Sequence, residues 1–255
     1  MTKVLAFHKL LPGPRLDATN FSPLRFRQVL RYLKGRGWHF VQPVTGGEAT
    51  DDRGVAITFD DGYRHLSQVL PAIIDEFGLR PMIFVPTAWI GKSNQWDFSH
   101  LVYPCYHLTR RDIGELASCG ALFGSHGHQH VALDRCSREQ LHNELVRSRQ
   151  TLQDITGAPV NAISYPFGRC DRRVLDAAAS AGYTDGFTMN ALPSRLNSPL
   201  ARPRTAVYAW DTLLSVKYKL YDAGPAHLER FKSRLVKRLA GGTVRWQHWR
   251  GRQRA

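Results

Sequence analysis

The chain has 255 residues, 43% of them hydrophobic, enough to bury one substantial core, and α/β barrels of this length form single domains. No window approaches the roughly 18 consecutive apolar residues that a membrane-spanning helix needs, and the opening Met1-Thr2-Lys3-Val4 lacks the apolar run and small-residue cleavage site of an export signal. The net charge of +14 is uneven: residues 216–255 hold 11 Lys or Arg against two acids, a net of +9, so the basic character belongs to the C-terminal end rather than to the body.

Short β-type runs alternate with helical patterns through about residue 215, as expected for parallel strands joined by helical crossovers. Val4–Phe7 is the first strand. Ser22 and Pro23 then supply an N-cap and a first-turn proline ahead of Leu24, Phe26, Val29, Leu30 and Leu33. Val55–Phe59 and Met82–Val85 are the next two strands. The aperiodic segment Trp89–His107 carries Trp89, Trp96, Phe98, Tyr103 and Tyr106, and reads as a loop at one mouth of a barrel. Its rings either stack on sugar faces or simply pack the loop onto the body. Thr109 opens a helix with Ile113, Leu116 and Ala117, and Ala121–Ser125 is a fourth strand. Ser137 and Gln140 form a capping box ahead of Leu141, Leu145 and Leu152. Ala162–Tyr165 is a fifth strand, Asp171 opens a helix with Val174, Leu175 and Ala178, and Tyr183–Thr188 is a sixth strand.

Two clusters carry chemistry. Thr58-Phe59-Asp60-Asp61-Gly62 places adjacent carboxylates where a strand hands over to a turn, so that one can bind a metal while the other stays available as a base. Asp-Gly is also a common turn former, so this motif alone leaves a solvated turn open. Gly124-Ser125-His126-Gly127-His128-Gln129-His130 holds three of the chain's 11 histidines in five residues. If that loop enters a helical turn, His126 and His130 face the same way and share one ion, while His128 points elsewhere. One Asp and two His with open positions suit divalent Zn, Co, Ni or Fe.

The pair Thr58-Phe59-Asp60-Asp61-Gly62 and Ser125-His126-x-x-x-His130, followed by Tyr165-Pro166-Phe167-Gly168, resembles the first three motifs of the NodB-type polysaccharide deacetylases across roughly residues 3–210. The resemblance implies a distorted (β/α) barrel of about seven parallel strands. It makes Asp61, His126 and His130 the metal ligands, with Zn2+ the first choice of ion, Asp60 the general base and Phe167 the backbone donor to the oxyanion. The late Leu-His motif that supplies the family's acid is missing: after His130 the histidines are His142, His227 and His248. The Asp-x-Trp motif is absent too, and Ser164 stands where many members carry an arginine. Val4-Leu5-Ala6-Phe7-His8, however, is similar to the opening Tyr-His strand of the circularly permuted branch that includes the poly-N-acetylglucosamine deacetylases. That similarity assigns His8 as the general acid. Arg204, in Arg202-Pro203-Arg204, resembles the arginine ahead of the last core strand in permuted members and is a candidate to replace the missing motif arginine near Asp60.

The barrel is expected over residues 1–215 and a basic amphipathic tail over 216–255. In the tail, Leu228, Phe231, Leu235, Val236 and Leu239 form a helical stripe among Arg230, Arg234, Lys237 and Arg238, with Trp246 and Trp249 beyond. Residues 226–255 read either as an anchor on an anionic membrane surface or as a helix packed on the barrel. No nucleic-acid motif accompanies the charge, and no nucleic-acid partner is expected. Cys105, Cys119, Cys136 and Cys170 form no CxxC pair and read as reduced thiols. The expected protein is thus a cytoplasmic deacetylase, peripheral at the inner face of the membrane if the anchor reading holds. Its substrate would be an N-acetylated saccharide, lipid-linked in the anchored case. Formyl or O-acetyl removal, and a non-catalytic glycan- or lipid-binding role, are the alternatives.

Overall fold

A strand buried on both faces must be apolar at nearly every position, and the central strands of this chain read that way. The computed structural model describes residues 2–13, 17–43, 53–94, 104–189 and 198–221. In it Lys3–Phe7 (β1), Gly54–Phe59 (β3) and Met82–Val85 (β4) are joined by Leu122–Ser125 (β5), Ala162–Ser164 (β6), Asp185–Met189 (β7) and Arg202–Ala206 (β8). β1 pairs in parallel with β3 from Lys3↔Val55 to Phe7↔Phe59, and with β8 at Leu5↔Thr205 and Ala6↔Ala206. That double pairing closes seven parallel strands, in the order β1-β3-β4-β5-β6-β7-β8, into the expected barrel. The two-residue His39–Phe40 (β2) adds only to the start of β3, short of the point where β4 joins it at Thr58↔Met82.

Helices Pro23–Gly35 (α1), Leu66–Phe77 (α2), Arg110–Ser118 (α3), Arg138–Thr156 (α4), Arg172–Ser180 (α5) and Leu213–Tyr221 (α6) accompany the strands. Their starts follow the capping residues: Ser22 Oγ accepts from Arg25 N, Asp171 Oδ1 accepts from Val174 N, and Thr109–Asp112 and Ser137–Gln140 form reciprocal boxes. Each cap stabilises its helix by about 1 kcal/mol.

Alternation along the strands divides the core. Leu5, Phe7, Val55, Ile57 and Phe59 face the helices, and the Phe7 ring meets Phe26 of α1 edge-on at 4.9 Å. Val4, Ala56, Met82, Phe84, Ala162 and Phe187 fill the barrel interior. Gly124 belongs to the inner face, because a Cβ there would lie 2.5 Å from the Phe84 ring. The same parity, carried one step past Ala6, Thr58, Gly124 and Ala162, reaches His8, Asp60, His126 and Ser164. The inward positions therefore converge toward the C-terminal ends of the strands, the end at which such barrels carry their sites.

Four elements have no counterpart among the elements expected from the sequence. β2 is too short to show a period. α2 contains Pro71, which reads as a helix breaker, although Leu66, Leu70, Ile73, Ile74 and Phe77 form a buried stripe. β8 begins Arg202-Pro203-Arg204, and a proline demotes a strand. It is tolerated here because pairing with β1 begins only at Thr205. Arg204 consequently sits inside the strand rather than ahead of it. α6 runs across the expected boundary at 215/216, with Val216 and Leu220 in the core and Tyr221 OH accepting from Trp38 Nε1 at 3.1 Å. Trp96, Phe98 and Tyr103, the 226–239 stripe, Trp246 and Trp249 lie outside the described residues.

Gly186 in β7 tests the packing outside the barrel: an added Cβ would stand 2.1 Å from Leu200 O and 2.6 Å from Tyr165 OH, on top of the hydrogen bond those two atoms make. Gly186→Ala is expected to destabilise the fold by on the order of 3 kcal/mol. A thermal or urea melt within error of wild type would contradict that packing.

Candidate metal centre

The turn after β3 brings Asp60 and Asp61 to different tasks. Asp61 has a φ of +68°, a left-handed conformation unusual for a residue with a side chain. It is held by the buried His107, whose Nδ1 lies 2.7 Å from Asp61 O. The His107 ring stacks on Tyr63 at 5.0 Å, and burial lowers its pKa to about 4. So turned, Asp61 Oδ1 lies 3.5 Å from His126 Nε2 and 3.3 Å from His130 Nε2.

The two histidines meet by a route other than the expected one. Residues 126–130 form no helical turn. Gly127 (φ +73°) and His130 (φ +60°) reverse the chain within an irregular loop that follows β5. His126 donates from Nδ1 to Ser164 O at 2.7 Å, which leaves the Nε2 lone pair aimed at Asp61. Burial lowers the His126 pKa to about 4, so at neutral pH the ring is an uncharged ligand. His128 points away, its Nδ1 2.8 Å from Thr87 Oγ1. One donor atom each from Asp61, His126 and His130 lies within 4.8 Å of the others, and among the described residues these form the one such group of three His, Cys, Asp or Glu. Burial raises the Asp61 pKa, but His130, with His8 and His126, outweighs it and holds the group well below the ordinary carboxylate range. An anionic oxygen and two imidazoles fit a divalent ion of the zinc type.

Asp60 faces the barrel interior and is locked by Arg204. Nη1 donates to Oδ1 at 2.8 Å and Nη2 to Oδ2 at 2.7 Å, the fork geometry of the strongest carboxylate contacts. The guanidinium also donates to Thr58 Oγ1 at 3.0 Å and Ser164 Oγ at 2.6 Å, and lies 5.2 Å over the Phe84 ring. An arginine from β8 therefore occupies the space that the small Ser164 leaves. Burial pushes Asp60 up, but Arg204, aided by His126 and His8, brings it down to about 2.

His8 is half-buried and close enough to depress both carboxylates. Its Nδ1 is buried without a hydrogen-bond partner among the described residues. Phe167 has a φ of +60°, sets its ring against His130 at 4.9 Å, and its N–H donates to no group among the described residues. His142 is exposed on α4. All seven candidates are thus gathered in one region, and His107 and Glu144, from outside the motifs, join them. Glu144 had a signal: it is an acid on the apolar stripe of α4, between Leu141 and Leu145.

A seven-stranded parallel barrel with Asp, His and His at its C-terminal mouth defines a class, and comparison with known proteins agrees. The polysaccharide deacetylase family model matches residues 47–186, more than half of the chain, and the chain belongs to that family. YxkH of Bacillus subtilis (strain 168), provisionally named a polysaccharide deacetylase, is 27% identical over 191 residues, which cover 72% of this chain and 63% of YxkH. The chain thus spans 63% of the length of that curated relative. Among solved structures, the Streptococcus pyogenes deacetylase PplD, in complex with acetate, superposes with a TM-score of 0.72 at 21% identity, covering 86% of this chain and 97% of PplD. IcaB from Ammonifex degensii gives 0.70 at 20% identity, covering 86% and 96%. At these identities the likeness is one of fold.

The Arg204–Asp60 pair carries a pH signature. Because the folded pKa of Asp60 is depressed from 3.8 to about 2, the pair stabilises the metal-free fold above the unfolded value, and that contribution is lost as pH falls toward the folded one. Arg204→Met leaves a buried carboxylate without its counter-charge and is expected to cost about 3–5 kcal/mol at neutral pH. Acidification should then relieve the variant where it weakens wild type. Urea unfolding of both between pH 7 and 3 reads the opposite slopes; parallel profiles would show that the pair is not their source.

Proposed function

We propose that the chain is a metal-dependent hydrolase that removes the acetyl group from an N-acetylated sugar of a glycan or glycolipid precursor. The observation that carries this reading is the division of labour at Asp60-Asp61: one carboxylate faces two imidazoles while its neighbour is held ionised and oriented by Arg204. An ion bound by Asp61, His126 and His130, with Zn2+ the preferred choice and Co2+, Ni2+ or Fe2+ able to use the same donors, supplies polarisation of the acyl carbonyl and acidification of water.

The chain's own groups do the rest. Asp60 stays charged at neutral pH and accepts the proton of the attacking water at a carboxylate oxygen. Phe167 N–H, which has no acceptor among the described residues, donates to the oxyanion that develops on the acyl oxygen. His8 gives a proton to the leaving amine, the role left open by the missing late histidine. Trp89, half-buried with its Nε1 donating to Gln129 O at 3.2 Å, stands beside the ligand loop as a surface for a sugar ring.

Membrane association is the finer part of the proposal. Trp210, Leu213 and Leu214 are exposed just ahead of the basic residues, as is Leu24 on α1. Together with the charge of 226–255 they suit an anionic surface at the inner face of the membrane and a lipid-linked saccharide there.

The test is release of acetate from an N-acetylated oligosaccharide. Asp60→Asn and His8→Ala are expected to lower turnover by about 10²–10⁴-fold while retaining bound ion, whereas Asp61→Ala loses ion and turnover together. Formate release, or cleavage confined to O-acetyl esters, would redirect the substrate assignment. A metal-loaded wild type that releases no acyl group would favour a non-catalytic glycan- or lipid-binding role. For the membrane, deletion of 226–255 is expected to abolish co-sedimentation with phosphatidylserine vesicles; an unchanged bound fraction would remove the anchor.

A further inference from the structure

Nothing in the proposed chemistry uses Glu144, a buried carboxylate on α4. Its Oε2 accepts from His128 N at 2.7 Å and Gln129 N at 2.9 Å, and Oε1 accepts from Gln129 N at 3.1 Å. These are the backbone amides midway between the ligands His126 and His130. Gly127 permits the approach, since a Cβ there would stand 3.1 Å from Oε2. Its own N–H donates to Ser125 Oγ at 3.1 Å. The carbonyls of the loop are held from the other side, Thr87 N donating to Gly127 O at 3.3 Å and Ala88 N to His128 O at 2.8 Å. Successive amides converging on an anion form the kind of concavity that elsewhere binds phosphate. Here the chain supplies the carboxylate itself: burial pushes the Glu144 pKa up, and the Gln129 and His128 amides work against that shift.

We propose that Glu144 is a positioning residue for the metal centre, its carboxylate the internal anion around which the ligand loop folds, fixing the separation and aim of His126 and His130. This rests on the metal-centre reading above. Without Glu144 the N–H groups of His128 and Gln129 lose their buried acceptor. The loop then relaxes, and His130, held at a φ of +60°, is the ligand with most to lose.

Metal binding separates positioning from plain structural support. Co2+ and Zn2+ affinities measured by chelator competition, with the visible Co2+ spectrum as the geometric readout, are compared for wild type, Glu144→Ala, Glu144→Gln and Leu152→Ala. Glu144→Ala is expected to bind about 10–100-fold more weakly with an altered cobalt spectrum. Glu144→Gln, which keeps one acceptor oxygen and carries the test alone if the alanine variant does not fold, falls between. Leu152→Ala removes core packing from the same helix and should lower Tm with affinity and spectrum intact. Wild-type affinity and spectrum in both Glu144 variants would overturn the proposal. A wild-type protein that binds neither ion would overturn the metal-centre reading instead.

Discussion

The ion pair between Arg204 and Asp60, sealed inside the barrel, is the constraint around which the site is arranged. Moving two charges out of water costs several kcal/mol per ion after relaxation, and mutual attraction offsets this only where the geometry is good and the remaining donors are satisfied. Here both carboxylate oxygens meet the guanidinium fork, Thr58 and Ser164 take further N–H bonds, and the Phe84 and Phe187 rings lie against the cation, while Nε is buried without a partner among the described residues. The arrangement holds Asp60 in one orientation with its charge intact. It also fixes where the backbone must turn, because Asp61 begins the left-handed step immediately after it.

That step is one of three. Among the described residues the non-glycine positions with positive φ are Asp61, His130 and Phe167, two candidate ligands and the candidate oxyanion donor. Each costs about 1–2 kcal/mol relative to ordinary backbone. Such conformations persist where surrounding contacts over-determine them, and each has its restraint. His107 holds the Asp61 carbonyl, Glu144 holds the loop before His130, and Gly168 follows Phe167 in close contact with Met189, where a Cβ would stand 2.8 Å away. Strain collected at one site, with dedicated supports, is the physical mark of a place where geometry matters more than stability.

The sequence makes the barrel legible because strands buried on both faces leave continuous apolar runs, and because Ser22, Thr109, Ser137 and Asp171 announce their helices. Where those signals fail, the causes are local. Pro71 hides α2, and the arginines and proline of β8 hide a strand whose inward residue is the buried cation itself. The residues Asp61, His126 and His130 are readable as a set because all three lie in short motifs. Their supports are not readable with them, since His107 and Glu144 come from separate segments and act on backbone atoms: the acid on the apolar stripe of α4 marks Glu144 as unusual but does not show what it holds. The helical spacing of His126 and His130 points to the pair that the loop brings together, but for a reason the loop does not use. The strand parity that links Ala6 to His8 and Thr58 to Asp60 was available throughout and is the better guide.

The closure of the barrel by β1 has a further consequence for how the site comes into being. Leu5 pairs with Thr205, some 200 residues later in the chain, and Arg204 arrives on that same closing strand. Contacts of such separation are slow to form, because the loop they close must first be ordered. His8 follows β1 directly, yet it acquires its final neighbours only after β8 docks. Asp60 remains without its counter-charge until the same moment. β8 thus completes both the cylinder and the electrostatics of its mouth, so a chain in which β8 has not docked has the candidate ligands in sequence but no assembled site.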